Sequence, residues 1–275
     1  MLEILQYEFM RNALMAAILV SIACGIVGTF VVIKKLVFIS GGIAHGAFGG
    51  VGLGFFLNLN PVWTAIPFSM FSALAIGSVS KKTKISEDSA IGILWSVGMA
   101  LGIFFIGLTP GYAPDLFGYL FGSILTVPMT DIILMFCLNL LIITAFFLFY
   151  KEFVAVSFDE EFSEIAGIKP RIFYYALLCM IALSIIMMIR VVGIILVIAL
   201  LTIPTVTVKQ FTNRLKSIMI YSTLTAIFLT TTGLYLSYLF ELPSGATIVL
   251  LLALGFGLTA TAKKIKCTNK ILKSY

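Results

Sequence analysis

The sequence predicts an all-α integral membrane protein, a polytopic helical bundle of eight or nine transmembrane helices, and three observations lead to this fold class. Of the 275 residues, 61% are hydrophobic and 11% are charged, which is too apolar a composition for a soluble core of ordinary size. Uncharged runs recur at about the 18 to 20 residues that a helix needs to cross the hydrocarbon. The alternating pattern of a membrane β-barrel is missing from them. We therefore expect one transmembrane domain over residues 1–275.

Nine apolar spans follow one another along the chain, with edges accurate to within several residues. They cover residues 10–33, 37–57, 62–79, 90–108, 131–149, 171–189, 191–208, 217–239 and 243–262.

The basic residues lie in short runs between these spans. If the segment 151–171 is cytoplasmic, alternation of the spans places the other runs on the same side, namely Lys34 and Lys35, residues 81–84, 209–216 and 263–273. Only Arg11 and Arg190 fall outside this pattern. The positive-inside rule then predicts an external N-terminus and a basic cytoplasmic tail over 263–275. The formal charge of +6 is explained by basic residues that set the orientation of the chain in the membrane. We therefore expect membrane lipid and no nucleic acid as a partner.

The second span contains the one histidine of the chain, His45, in the stretch KKLVFISGGIAHGAFGGVGLGFFLNLNP. A charged group at membrane depth costs about 2.5 to 3.5 kcal/mol, and ionisable groups there usually face a bundle interior or an aqueous path. His45 is therefore a candidate functional residue. The alternative is a neutral imidazole that hydrogen-bonds to a neighbouring helix.

Glycines are frequent in the same span, and small residues let helix backbones approach closely in lipid. Gly46 and Gly50 are four residues apart, the spacing of a small-xxx-small pair. The same glycines, with Gly41 and Gly42, could instead open a narrow path beside His45. The spacing predicts a central helix but does not decide between packing and a path.

The segment TPGYAPDLFGYLFGSILTVP lies between the fourth and fifth spans. It is too broken by proline for a crossing and too apolar for a free loop. We expect a short external helix over residues 115–126 that dips into the bundle, with Asp115 near its N-terminus, where a carboxylate suits the helix dipole. Asp115 is then either an N-cap or an anion at the external mouth of a cation path.

The polar interruption YKEFVAVSFDEEFSEIAGIKPR, residues 150–171, predicts a short amphipathic helix outside the membrane. Ser157 or Asp159 can cap its N-terminus, and Gly167 followed by Pro170 can end it. The acidic residues that complement the dipole of its first turn are Asp159, Glu160 and Glu161. The apolar residues that share a face for docking on a protein or on the bilayer surface are Phe158, Phe162 and Ile165. A solvated connector is the alternative.

Near the end of the chain, RVVGIILVIALLTIPTVTV places Pro204 within a crossing, between Thr202 and Thr205. A proline inside a helix leaves a backbone carbonyl without its helical donor. The neighbouring hydroxyls can therefore satisfy the kink or line a path.

No catalytic motif is present. The sequence has no GxxxxGK[ST] loop, no HExxH and no GxSxG. We therefore expect no enzyme activity in this chain, and active transport would draw its energy from a partner or an ion gradient. A membrane-embedded enzyme or a subunit of a redox complex that uses His45 and Asp115 is the alternative from a different class.

Several of these stretches resemble the membrane subunit of ATP-binding-cassette importers for zinc, manganese and iron. FISGGIAHGAFGGVGLG is similar to the second-helix signature of that family, and DLFGYLFGSIL resembles its DLxxxLFGNIL-like external segment. SFDEEFSEIAGI is similar to its SFDPEFARALGI-like cytoplasmic loop, and VVGIILVIALLTIPTVTV with LPSGATIVL resembles its C-terminal signatures. The motifs share their order over about residues 10–260, which makes the resemblance specific.

The resemblance implies a permease homodimer in a prokaryotic cell membrane. Each copy would dock an ATPase subunit at the loop of residues 150–170 and receive metal from an extracytoplasmic solute-binding protein. ATP hydrolysis would then belong to the partner subunit, and the chain would hold no permanent cofactor. On this analogy His45 meets the metal, and the coupling surface consists of Phe158, Asp159, Glu160, Glu161, Ile165 and Gly167.

The chain departs from the family at Gly41. Many members have an aspartate one helical turn before the histidine, as DxxxH, so that both ligands share one face. Here a metal would meet His45 together with Asp115 or backbone oxygens, or the cargo differs. A divalent transition metal, zinc, manganese or iron, is the leading cargo. Zinc or manganese comes first, because histidine is a better ligand for these metals than for magnesium or calcium. A metal chelate such as a siderophore or cobalamin is the alternative, since a less charged path suits a bulkier cargo.

Overall fold

The computed structural model describes residues 6–82, 86–110, 122 and 124–272, and these form helices joined by short connections. The helices are α1 (Glu8–Ile33), α2 (Val37–Phe56), α3 (Pro61–Lys82), α4 (Glu87–Leu108), α5 (Met129–Leu148), α6 (Tyr150–Phe158), α7 (Glu160–Ile165), α8 (Pro170–Lys209), α9 (Leu215–Leu239) and α10 (Ser244–Leu272). A 3-10 turn at Ile124–Thr126 precedes α5.

Nine helical segments within the described residues are long and apolar enough to cross a membrane. The long helix α8 supplies two of them, Pro170–Ile189 and Val192–Lys209, because its backbone breaks at Gly193. Gly193 has φ 77° and ψ 164°, a conformation open almost only to glycine. The predicted polytopic α-helical bundle is confirmed.

The centre of the bundle is formed by α1, α2 and the two halves of α8. In the most apolar stretch of α2, 78% of the residues are buried inside the bundle, compared with 11% in α10. Helix α2 packs against α3, α4 and α8. The central position predicted for the glycine-rich helix is therefore confirmed.

Side-chain contacts gather the basic connections at one end of the bundle. The Nζ of Lys34, between α1 and α2, lies 2.7 Å from Glu160 Oε1 in α7. The Nζ of Lys216, at the start of α9, lies 5.3 Å from the ring centroid of Tyr150. The Nζ of Lys263 donates to the Gln210 carbonyl at 2.6 Å. These contacts confirm that the corresponding basic runs share one side, as the charge pattern predicts.

Most of the segment expected to form a short external helix over 115–126, including Asp115, lies outside the described residues. Its described end is the 3-10 turn at Ile124–Thr126. Gly122 packs backbone to backbone on the break in α8, where a Cβ atom on Gly122 would overlap Val192 and Gly193. The segment thus reaches the middle of α8.

Candidate functional site

The candidate site lies where α2 meets α4, and glycines set the distance between the two helices. A Cβ atom built on Gly98 would lie 2.5 Å from Gly46 Cα, and one built on Gly52 would overlap the backbone of Gly102. Neither helix could approach so closely with side chains at these positions. The contact brings the residues next to it into register, so His45 of α2 faces Trp95 of α4.

The imidazole of His45 stacks on the indole of Trp95. Their ring centroids are 3.9 Å apart and their planes differ by 11°. The Nδ1 atom of His45 is buried and has no hydrogen-bond partner in the described part of the chain. Within the described residues, Nδ1 therefore makes no hydrogen bond to a neighbouring helix. The contact that the ring does make there is the stack on Trp95.

One turn before His45, Gly41 borders the same space. A Cβ atom at Gly41 would lie 3.4 Å from Ile198 Cδ1 and 3.6 Å from Trp95 Cζ3. These are ordinary van der Waals distances, so a methyl group fits beside the indole and Ile198. The site is thus walled by α2, α4 and the second half of α8.

The other glycines of α2 contact neighbouring helices. A Cβ atom at Gly42 would lie 2.7 Å from Ile91 Cγ2 of α4, and one at Gly50 would lie 2.7 Å from the Thr64 carbonyl oxygen of α3. Gly42, Gly46 and Gly50 therefore serve close helix packing, whereas Gly41 borders the ring pair.

The hydroxyl groups near Pro204 have different surroundings. Thr202 Oγ1 donates to the Ile198 carbonyl of its own helix at 2.7 Å. Thr205 is fully buried, and its Oγ1 has no hydrogen-bond partner among the described residues. Pro204 is buried between them. Of these groups, Thr202 lies one turn beyond Ile198 and so stands nearest to the wall of the site.

Metal-ligating side chains are sparse around the ring pair. Within the described ranges, no group of three or more His, Cys, Asp or Glu side chains could hold a metal ion together. The second ligand expected from the sequence, Asp115, falls outside those ranges. Among the described site residues, His45 is the candidate that offers a metal-ligating side chain.

A second region of interest is α7, in the loop expected to couple to an ATPase. Asp159 caps this helix, because its Oδ1 accepts from the Phe162 amide at 2.9 Å. Gly167 ends it with φ 81°, and its amide donates to the Glu164 carbonyl at 3.0 Å. The predicted capped helix is confirmed, with Asp159 as the cap. A further helix, α6, joins it to α5, which the sequence did not predict.

The surface of this loop is apolar at its tip and charged beside it. Ile165 is 86% exposed, and Phe158 and Phe162 are exposed as well. Beside them lies a groove of about 940 Å³. Its charged lining residues are Glu160, Glu161, Glu164, Lys169 and Arg171. Exposed apolar residues beside a charged groove are typical of a surface that docks another protein.

Sequence reasoning missed two functional candidates, Trp95 and Lys34. Trp95 is an ordinary apolar residue of its span until its register against α2 is known. The pair Gly98 and Gly102 could have indicated that register, because its spacing matches that of Gly46 and Gly50. In the sequence, Lys34 indicates only which side of the membrane its connection lies on. Its ion pair with Glu160 joins residues far apart in the chain and is therefore visible only in the fold.

Comparison with known proteins identifies the class. The ABC 3 transport family matches residues 6–263. The chain is 46% identical to an uncharacterized membrane protein of Synechocystis sp., over 93% of this chain and 91% of that protein. It is 36% identical to the manganese transport system membrane protein MntC of Listeria innocua, over 92% of this chain and 90% of that one. In the solved structure of PsaBC from Streptococcus pneumoniae in complex with a Fab, one chain aligns with a TM-score of 0.85 and 32% identity, covering 93% of this chain and 92% of that one.

The fold and the matches define a multi-pass protein of the bacterial cell membrane that acts as a transport subunit. The chain belongs to the ABC 3 transport family, so the resemblance seen in its motifs is confirmed.

Proposed function

We propose that this chain is the permease subunit of an ATP-driven importer that moves a divalent transition metal ion, zinc, manganese or iron, into the cytoplasm. The observation that carries the proposal is the His45 imidazole, buried at Nδ1 without a described partner in the middle of a transport subunit. Manganese is the first candidate, because the relative from Listeria innocua is named for manganese transport. Import is the direction that the family resemblance implies.

The chemistry of the site fits a cargo that is held briefly. A neutral imidazole nitrogen binds zinc, manganese or iron in the divalent state. One such ligand gives weak, transient binding, which a transport path needs in order to release its cargo. Asp115 or backbone oxygens complete the coordination in this proposal. The metal is the substrate, and no resident cofactor is required.

The partners follow from the same assignment. An ATP-binding-cassette ATPase docks at the loop of residues 150–170, with Phe158 and Ile165 as apolar contacts and Glu160 and Glu161 as charged ones. Asp159 and Gly167 fix the two ends of α7. A solute-binding protein delivers the metal on the opposite side, and a second copy of the chain completes the path. ATP hydrolysis takes place in the ATPase.

The docking role of α7 predicts a specific loss. Gly167→Pro removes the amide that donates to Glu164 and cannot adopt φ 81°, so it should abolish co-purification of the ATPase while membrane insertion is retained. Gly167→Asn is the matched control, because asparagine tolerates the left-handed conformation, and it should keep the ATPase bound. Normal co-purification with Gly167→Pro would contradict the docking role.

A metal chelate is the second candidate cargo, because Gly41 and Trp95 give the site an uncharged aromatic wall. The two cargoes are separated by uptake into proteoliposomes that hold the complete transporter, offered a panel of free divalent metals and of metal chelates. Uptake of a free metal without any chelator supports the first proposal. Uptake of a chelate alone, unchanged in His45→Ala, would replace it with the second.

A further inference from the structure

Trp95 and Ile198 border the position that a side chain at residue 41 would occupy. Residues four apart on a helix share one face, so an acidic side chain at position 41 would stand beside His45. The Cβ position of Gly41 is already in contact with Trp95 Cζ3 and Ile198 Cδ1, at 3.6 Å and 3.4 Å. A carboxyl group on that Cβ atom would lie next to the apolar indole and Ile198, where burying its charge costs free energy. These two neighbours therefore make position 41 unfavourable for a carboxylate beside His45.

Trp95 is also the contact that orients the His45 ring. The torsion that turns an imidazole about its Cβ–Cγ bond is broad, so a ring without hydrogen bonds is poorly fixed by its own rotamer. Nδ1 has no described hydrogen-bond partner, and the ring lies flat on the indole at 3.9 Å. Stacking restricts rotation of the imidazole and therefore sets the direction of its nitrogen lone pair.

We propose that Trp95 is the positioning and specificity-determining residue of the metal path, because it fixes the imidazole of His45 and makes the surroundings of position 41 apolar. The inference rests on the proposed function. Its consequence is a nitrogen ligand whose described ring neighbour, Trp95, carries no charge. Magnesium and calcium bind through oxygen ligands, so the imidazole of His45 favours transition metals over them.

The first test is equilibrium binding of Mn²⁺ to the full chain in lipid nanodiscs, with Mg²⁺ as competitor and free Mn²⁺ followed by electron paramagnetic resonance. Trp95→Phe keeps an aromatic face and should stay within about threefold of the parent protein. Trp95→Leu keeps bulk but removes the stack, and should weaken Mn²⁺ binding roughly three- to tenfold, the size expected for one aromatic pair. Equal affinities and equal Mn²⁺/Mg²⁺ selectivity in both variants would overturn the positioning role.

The second test combines substitutions at positions 41 and 95. Gly41→Ala should change Mn²⁺ binding much less than Gly41→Asp, because a methyl group fits, whereas Gly41→Asp alone should bind poorly. Gly41→Asp combined with Trp95→Ala should bind Mn²⁺ more tightly than either single variant and should lose preference for Mn²⁺ over Mg²⁺. Strict additivity of the single effects would overturn the role of Trp95 at position 41, since residues in contact are expected to couple.

A third measurement places the metal beside Trp95. The chain has two tryptophans, so Trp63→Phe leaves Trp95 as the sole tryptophan, which can be excited selectively at the red edge of the absorption band. Mn²⁺ should quench its emission saturably, and His45→Ala should remove that quenching. If His45→Ala binds and transports metal normally, His45 is not the metal ligand and the proposed function is contradicted on that point. If His45 is required but the Trp95 and Gly41 variants behave like the parent, the inference about Trp95 alone fails.

Discussion

At the scale of single residues, the position of His45 depends on a glycine that lies on another helix. A Cβ atom at Gly98 would be 2.5 Å from Gly46 Cα, a distance that real Cβ atoms do not keep. Gly98→Ala should therefore push α4 away from α2 and separate His45 from Trp95. Overpacking should lower the free energy of unfolding by about 1 to 3 kcal/mol, which corresponds to a melting temperature lower by several degrees. Thermal unfolding in detergent measures this shift.

Gly107→Ala is the matched control on the same helix, because a Cβ atom there has open space around it. Alanine is the better helix former, so this variant should be as stable as the parent or slightly more stable. Equal melting temperatures for both alanine variants would contradict the close contact at Gly98.

Sequence reasoning at this scale found His45 and missed its neighbour. One histidine in an apolar span is conspicuous, because an ionisable group at membrane depth needs a reason. Trp95 carries no such signal, since an aromatic residue is normal in a membrane span. Its role depends on the register of α2 against α4, and a local pattern in either helix does not contain that register.

At the scale of helices, the break at Gly193 divides α8 into two crossings. The conformation with φ 77° and ψ 164° costs a residue with a Cβ atom about 1 to 3 kcal/mol. Gly193→Ala should therefore lower the melting temperature or straighten α8, and a straightened helix would displace Ile198 from the site. Gly257→Ala, in open space on α10, should be neutral. Indistinguishable thermal unfolding of the two variants would argue against the strained break.

The ion pair between Lys34 and Glu160 joins the end of α1 to α7. Their 2.7 Å contact connects the docking surface to the turn that leads into α2, the helix of His45. Lys34→Glu should lower ATP-driven uptake roughly two- to fivefold, as expected for a partly exposed pair. The reversed pair, Lys34→Glu with Glu160→Lys, should recover most of it. If the double variant is no better than Lys34→Glu, the contact does not transmit coupling.

The helices themselves were largely predictable from the sequence. Nine apolar spans correspond to nine crossing segments among the described residues, and Asp159 and Gly167 bound α7 as their capping chemistry predicts. Helix α6 was missed, because its sequence YKEFVAVSF has neither the length of a span nor a clear cap. Length and capping are local properties, whereas the contacts of α6 come from the packed bundle.

At the scale of the whole molecule, charge predicted which connections lie together. Lys34, Lys216 and Lys263 all contact groups at the same end of the bundle. The positive-inside rule assigns that end to the cytoplasm, which is also the side on which α7 would meet an ATPase. The order of helices around the centre was not predictable in this way, because it depends on which glycine faces meet.

The most direct test of the account is ATP-driven Mn²⁺ uptake by proteoliposomes that contain this chain with its ATPase and solute-binding protein. His45→Ala should reduce uptake at least roughly 10- to 100-fold. Loss of a residue that only supports a metal ligand already lowers metal affinity or activity by about that factor, and loss of the ligand itself should cost no less. Cys137→Ala, on the exposed face of α5, should transport like the parent. Mn²⁺ uptake that is unchanged in His45→Ala, with the transporter fully assembled, would contradict the claim that the metal passes at His45.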